Sequence, residues 1–157
     1  MTGTEIMFVV RAIFAYLLAS VLTVLASTSF YTQQVIAKQV AIGAVYTPAQ
    51  QLSTYLDNFF GLAFAGAPSF GVVVAVALLI GFAIAFVLKR VLRPLAPLAY
   101  PLAGAAATAG VIYLINNVVA GGGTGAIGGA RDAAGMALQA LAGGLGGLAF
   151  ALLRPRG

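Results

Sequence analysis

The stretch that decides the fold covers residues 70–90 and reads FGVVVAVALLIGFAIAFVLKR. No charge occurs from Phe70 to Leu88, and Lys89 and Arg90 follow at once. A helix needs roughly 20 apolar residues to cross the hydrocarbon core of a bilayer, and basic residues commonly mark the ends of such helices. The pattern therefore predicts a transmembrane helix over residues 70–88.

Three further apolar runs extend this pattern along the chain. Of the 157 residues, 62% are hydrophobic and 7% are charged, whereas soluble domains carry about a quarter charged residues. We therefore predict an all-α integral membrane protein with four transmembrane helices in a single membrane domain, residues 1–157. The spans are expected at about residues 6–27, 70–88, 99–120 and 133–153. Pro94 and Pro97 predict an extended or kinked lead-in, with regular helix beginning near Pro101.

Basic residues indicate the orientation of the chain. If the N terminus is cytoplasmic, the opposite side holds only Lys38 and Arg131. The cytoplasmic side then holds Arg11, Lys89, Arg90, Arg93, Arg154 and Arg156. The positive-inside rule favours this topology, with both termini cytoplasmic. Composition favours a multi-pass protein of the bacterial inner (plasma) membrane. A cleaved signal peptide fits less well, because Glu5 opens the first run and no basic segment precedes it.

The outer loop, residues 28–69, is predicted to contain an amphipathic helix over residues 48–64. Thr47 suits the N-cap, Pro48 the first helical position, and Gln50 completes a capping box. The apolar face comprises Leu52, Tyr55, Leu56, Phe59 and Phe60. We expect this helix to lie on the outer membrane surface or to fold over the helix ends. Residues 30–46 contain no proline, which favours a continuation of the first helix over a separate short helix.

Small residues four positions apart predict close helix packing. In the fourth span they are Gly135, Gly143 and Gly147, and Gly143 and Gly147 form a GxxxG pair. The third span offers a matching surface in Ala103, Ala107 and Gly110, with Gly104 and Thr108 beside it. Small residues let helices approach closely in lipid, either within one chain or between copies of it. Both interpretations remain open on sequence alone.

Three amides lie inside or at the end of predicted spans. Gln139 is on the same stripe as the glycines, and Asn116 and Asn117 are near the outer end of the third span. An amide in lipid must find a partner or face water. These side chains are therefore expected either to form interhelical hydrogen bonds or to line a polar path.

Charged residues near the span ends are interpreted as membrane-surface anchors. Arg11 lies close enough to the cytoplasmic end of the first span to extend to the interface. Lys89, Arg90 and Arg93 set the topology and would attract anionic headgroups. Asp132 precedes the fourth helix and suits the positive end of its dipole.

The residue inventory argues against catalysis. Cys and His are absent, and the acids are Glu5, Asp57 and Asp132, which lie far apart in the sequence. No nucleophile–base pair, metal-ligand cluster or phosphate-binding motif is present in the sequence. The 121–129 segment is glycine-rich but lacks the GK[ST] ending of a P-loop. We therefore expect no enzyme activity, no cofactor, no metal and no nucleic-acid partner.

Three functions remain after these exclusions. The first is a self-associating protein that forms a passive channel or transport path for a small solute. The second is a non-catalytic accessory subunit of a larger membrane complex. The third is a lipid-interacting protein that organises the membrane through the loop helix and the basic turn. The expected partners are the lipid bilayer and either further copies of the chain or other membrane proteins.

Overall fold

A computed structural model describes residues 2–66, 68–119 and 132–155, and this part of the chain is helical with short connections. Four of its helical segments are long and apolar enough to cross a membrane, which confirms an all-helical protein with four candidate spans. The α-helices are α1 (Gly3–Ala41), α2 (Pro48–Phe64), α3 (Phe70–Val91), α4 (Ala99–Leu114) and α5 (Ala133–Leu153). The glycine-rich segment 121–129 lies outside the described residues.

Helix α1 extends well beyond the length that a membrane requires. Its 39 residues correspond to about 58 Å, against a hydrocarbon core of about 30 Å. The predicted continuation of the first helix is therefore confirmed as far as Ala41. Gly43 follows with φ +98°, a left-handed conformation that glycine adopts without steric cost and that ends the helix.

The start of α2 and the connection between α3 and α4 follow the local sequence. The Thr47 hydroxyl accepts the Gln50 amide at 3.3 Å and the Gln50 side chain accepts the Thr47 amide at 2.9 Å, so the predicted capping box starts α2. A 3₁₀ turn, Arg93–Leu98, forms the predicted lead-in to α4, and Pro101 lies in the first turn of α4. A π-helical turn, Ile115–Val119, continues α4 and was not predicted.

Helix α5 packs against both α1 and α4, and α4 in turn packs against α3. Helix α1 also contacts α3, because the Tyr16 hydroxyl of α1 donates to the Ala75 carbonyl of α3 at 2.7 Å. An aromatic group also joins α3, α4 and α5. The Phe82 ring stacks on Phe150 at 4.6 Å between centroids, and Tyr100 meets Phe150 edge-on at 5.0 Å.

Charged contacts define the two ends of the bundle. Arg11 Nε donates to the Leu153 carbonyl at 3.3 Å, whereas Lys38 forms an ion pair with Asp132 at 2.9 Å. Helices α1 and α5 are therefore antiparallel. We call the end with Arg11, Lys89, Arg90, Arg93 and Arg154 the basic end, and the opposite one the far end. Arg131 and Arg156 lie outside the described residues.

Candidate functional site

A row of buried hydroxyl groups lies along α1, with Ser27 against α5 and Thr32 against α2. Its members are Ser20, Thr23, Ser27, Thr28 and Thr32, and together with Gln139 of α5 they form what we call the polar seam. Thr23, Thr28 and Thr32 donate to carbonyls four residues earlier in α1, at 2.8–2.9 Å. These hydroxyls are satisfied within their own helix, which makes a polar surface tolerable in lipid.

Gln139 lies at the centre of the seam and is 1% exposed. Its Nε2 donates to the Ser27 carbonyl at 3.1 Å, and the Ser27 hydroxyl donates back to Gln139 Oε1. Of the two predicted roles, the structure contains the interhelical hydrogen bond. The cavity beside Gln139 measures about 10 Å³, roughly the space that one water molecule needs.

Glycines bring the backbones of α4 and α5 into direct contact. A Cβ at Gly143 would overlap the Gly104 carbonyl and the Thr108 hydroxyl, and a Cβ at Gly147 would overlap the Tyr100 carbonyl. On the other side of α5, a Cβ at Gly146 would overlap the Thr23 hydroxyl. These glycines are therefore occupied by packing inside one chain. Gly135 is buried too, and its amide donates to Asp132 at 2.7 Å.

The face of α4 that meets α5 differs from the expected one. The row that faces α5 is Tyr100, Gly104 and Thr108, and the neighbouring Ala103 and Ala107 pack against Gly81 of α3 instead. Gly110 is exposed and has nothing within 4 Å of its Cβ position. Gly104 explains this difference from the expected face, because a glycine lets α4 approach Gly143 of α5 more closely than the alanines of the expected row would.

The two asparagines end α4 in different environments. Asn116 is buried, with 8% exposure, whereas Asn117 is exposed and donates to the Tyr113 carbonyl at 2.9 Å. The Asn117 amide thus satisfies its own helix end. Both residues belong to the π-helical turn, where an extra residue per turn turns adjacent side chains to new directions.

Helix α2 presents three different sides. Tyr55 donates to Gln33 at 2.5 Å and Asn58 donates to Thr32 at 3.1 Å, so this side contacts α1, and buried Ala63 contacts α3 at Gly71. An apolar row points away from the bundle and is 50–68% exposed; its members are Leu52, Leu56, Phe60 and Phe64. The predicted apolar face is therefore divided, because Tyr55 and Phe59 pack inwards while Leu52, Leu56 and Phe60 do not.

Cations at the basic end lie over aromatic rings. Lys89 Nζ is 4.8 Å from the Phe86 centroid, and the Arg90 guanidinium is 4.6 Å from the same ring. Arg11 and Arg93 are exposed. Placing a cation over a ring face stabilises its charge where water is scarce.

An apolar groove lies between α3 and α4. Its volume is about 850 Å³. Small residues form the floor, where α3 and α4 touch, because a Cβ at Gly81 would lie 3.1 Å from both the Ala103 carbonyl oxygen and the Ala107 Cβ. Val72, Val76, Ile80, Leu88 and Leu102 form the walls, and Lys89 lies at the basic end. We call this surface the α3–α4 groove.

Comparison with protein families, curated proteins and solved structures found no match to this chain. The geometry alone therefore has to support any functional assignment. Among the described residues, no group of three or more acids could hold a metal ion. The described part of the chain has three candidate features: the polar seam, the α3–α4 groove and the cations of the basic end.

Asp132 holds the far end together and gives a first testable expectation. It caps α5 and pairs with Lys38, and the Lys38 hydrogen bond, followed by that of the Gly135 amide, lowers the pKa of Asp132 below its ordinary value of 3.8. Because the folded pKa is the lower one, the carboxylate stabilises the fold above pH 3.8 and this contribution is lost as the pH falls through the lowered pKa.

We expect Asp132→Ala to lower the thermal midpoint in detergent more than Asp132→Asn, because asparagine keeps the cap but loses the ion pair. Both effects should be modest, since the two side chains of the pair are about half exposed. High salt should reduce the difference between wild type and Asp132→Asn. Equal losses in the two variants would exclude the capping role.

Proposed function

We propose that this chain is a non-catalytic, lipid-interacting membrane protein that holds an acyl chain in the α3–α4 groove. The groove itself carries this proposal, because an apolar concavity of this size is the usual starting point for a ligand hypothesis. Its wall is apolar over the length of α3 and has a cation at one end. That arrangement matches a molecule with a long apolar part and a polar head.

The dimensions of the groove favour a hydrocarbon chain over a helix as its occupant. From Val72 to Lys89 the groove follows α3 for about 26 Å. A helix with side chains is about 10–12 Å wide, so it would contact this open groove with one side only, whereas an extended hydrocarbon chain is thin enough to follow the floor of small residues along this length.

The placement of α2 is part of the same proposal. We propose that α2 lies in the outer interface, with the exposed row Leu52, Leu56, Phe60 and Phe64 in the lipid. A third side, beside this row, carries Thr54, Asp57 and Gly61, and suits contact with water. The bonds of Tyr55 and Asn58 to α1 support this placement, because they leave the apolar row free to face the bilayer.

The orientation is proposed from charge. Arg11, Lys89, Arg90, Arg93 and Arg154 share one end, so the positive-inside rule favours the cytoplasmic side of a bacterial inner membrane for that end. Both termini would then be cytoplasmic. Labelling of a single cysteine introduced at Ala44, near the far end, with an impermeant reagent in intact cells tests this topology.

Groove-filling variants test lipid binding. Ala106 is exposed and Gly110 has open space at its Cβ position, and both line the groove, so Ala106→Phe and Gly110→Phe should fold while occupying it. We expect each variant to retain less phospholipid than wild type after purification in mild detergent, as counted by native mass spectrometry. Val21→Phe, at an exposed position of α1 outside the groove, is the matched control.

The same experiment separates the competing occupants. If both groove variants keep the wild-type number of lipids, the lipid proposal is wrong. If they instead abolish a homodimer or release another membrane protein, the groove is a protein interface, and the accessory-subunit hypothesis replaces it.

The polar seam supports a second candidate, a passive path for a small polar solute. Its supporting observation is that the buried Ser20 hydroxyl has no hydrogen-bond partner among the described residues. A path along the seam would require α1 and α5 to separate at Gln139 and Gly146, where they touch. Solute flux into proteoliposomes that changes in Gln139→Leu would favour this candidate.

A further inference from the structure

Two cations from different parts of the chain meet over one aromatic ring at the basic end. Lys89 Nζ, in the last turn of α3, lies 5.5 Å from the Tyr100 centroid. The Arg154 guanidinium, just after α5, lies 4.7 Å from the same centroid. The Tyr100 ring is 3% exposed, so the fold holds it in place. Both charges therefore belong to one cluster around the Tyr100 ring.

These cations have no carboxylate counter-ion within the described part of the chain. Asp132 pairs with Lys38 at the far end, Asp57 belongs to α2, and the Glu5 side chain accepts the Thr2 amide at 2.9 Å. The Nε of Arg154 is shielded from solvent and has no hydrogen-bond partner among the described residues. Two neighbouring positive charges without a carboxylate partner favour binding of an external anion through their other N–H groups.

Lys89 connects this cationic pair to the α3–α4 groove, because the same side chain forms the basic end of the groove wall. A molecule that lies in the groove with its head at this end brings that head to Lys89, and Arg154 lies over the same Tyr100 ring as Lys89. We infer that Lys89 and Arg154 bind the phosphate of an anionic phospholipid whose acyl chain occupies the α3–α4 groove. This inference rests on the proposed function and adds the class of lipid.

The choice of an anionic lipid follows from charge balance. A zwitterionic headgroup brings its own cation, which would be repelled by Lys89, Arg90 and Arg154. A phosphatidylglycerol headgroup brings a phosphate and no cation, so its negative charge offsets part of the positive charge of the pair. The attraction of a cation for anionic lipid falls off with distance, so a cation in contact with the phosphate favours that lipid by about fivefold and a more distant cation favours it by less. The pair at Tyr100 is therefore expected to select phosphatidylglycerol over phosphatidylcholine.

The test uses the full chain in nanodiscs that contain equal amounts of phosphatidylglycerol and phosphatidylcholine with identical acyl chains. Native mass spectrometry then gives the ratio of the two lipids retained on the protein. We expect wild type to retain phosphatidylglycerol preferentially. Lys89→Gln and Arg154→Gln should each lower the ratio about fivefold, and the double variant should bring it close to one.

Arg93→Gln is the matched control, since Arg93 is an exposed cation at the same end for which no ring contact supports a role in the pair. It should leave the ratio within about twofold of wild type. An equal drop in Arg93→Gln would show general attraction to a basic surface, and would overturn the site. Equal retention of both lipids by wild type would also overturn it.

Failure of this inference is distinguishable from failure of the proposed function. If wild type does not discriminate between the lipids but Ala106→Phe and Gly110→Phe still lower the retention of both, the groove binds lipid without headgroup selection. If those groove-filling variants change nothing, lipid binding in the groove is itself excluded.

Discussion

Gly143→Ala is expected to destabilise the bundle by about 3 kcal/mol, the upper end of the range for overpacking. The added methyl group would overlap the Gly104 carbonyl and the Thr108 hydroxyl. The Gly104 carbonyl belongs to the backbone, so no side-chain rotation can relieve that clash. Helices α4 and α5 would have to separate, and dispersion contacts are the main attraction between helices in lipid. The measurement is the unfolding midpoint in mixed detergent micelles.

Gly144→Ala is the matched control because it makes the same chemical change one residue along. A Cβ at Gly144 would lie 3.7 Å from the Pro101 carbonyl oxygen and 3.8 Å from the Ala105 Cβ, which are ordinary contacts. Replacing glycine by alanine in a helix also gains up to about 1 kcal/mol of helix propensity. Gly144→Ala should therefore match or exceed wild-type stability. If Gly143→Ala behaved in the same way, the close α4–α5 contact would be wrong.

Gln139→Leu is expected to destabilise the fold by about 1–2 kcal/mol, the range found for interhelical hydrogen bonds in membranes. Leucine removes the donor to the Ser27 carbonyl and the acceptor for the Ser27 hydroxyl. The Ser27 hydroxyl can then turn to its own helix, as Thr23 and Thr28 do, which limits the loss. Unfolding in mixed micelles measures this change as well.

A double-variant cycle isolates the bond itself. Ser27→Ala removes only the hydroxyl, and the Ser27→Ala/Gln139→Leu double variant should cost less than the two single variants together by about 0.6–1.7 kcal/mol. Strict additivity would show that the two side chains do not interact. If a folded Gln139→Leu protein had the same solute flux as wild type, the Gln139 amide would have a structural role only. This result would count against the passive path for a solute.

The features that could be predicted from sequence are those determined by short stretches of chain. A span requires a run of apolar residues as long as the bilayer is thick, so Phe70–Leu88 already predicted a transmembrane helix. The capping box at Thr47 depends on residues three apart, and the structure contains it. The five cations of the basic end lie together because each is near the end of a span and successive spans run in opposite directions.

The features that needed tertiary structure are those that depend on which side of a helix is covered. In lipid the exposed face is as apolar as the buried one, so no hydrophobic period reveals the contact side. For this reason the sequence suggested the Ala103–Ala107–Gly110 row of α4, whereas Gly104 and Thr108 meet α5 and Gly110 faces the open groove. The sequence also gave no sign that Lys89 and Arg154 share the Tyr100 ring, because that contact depends on how α3, α4 and α5 pack together.

The sequence by itself thus determined that the chain forms membrane-length helices and which charges lie near their ends, because these properties follow from local length and local polarity. Tertiary structure alone decided that the glycines are used inside one bundle, that Gln139 bonds to Ser27, and that an apolar groove ends at a pair of cations. These depend on the distances between helices, which the close contacts at Gly104, Gly143 and Gly146 control.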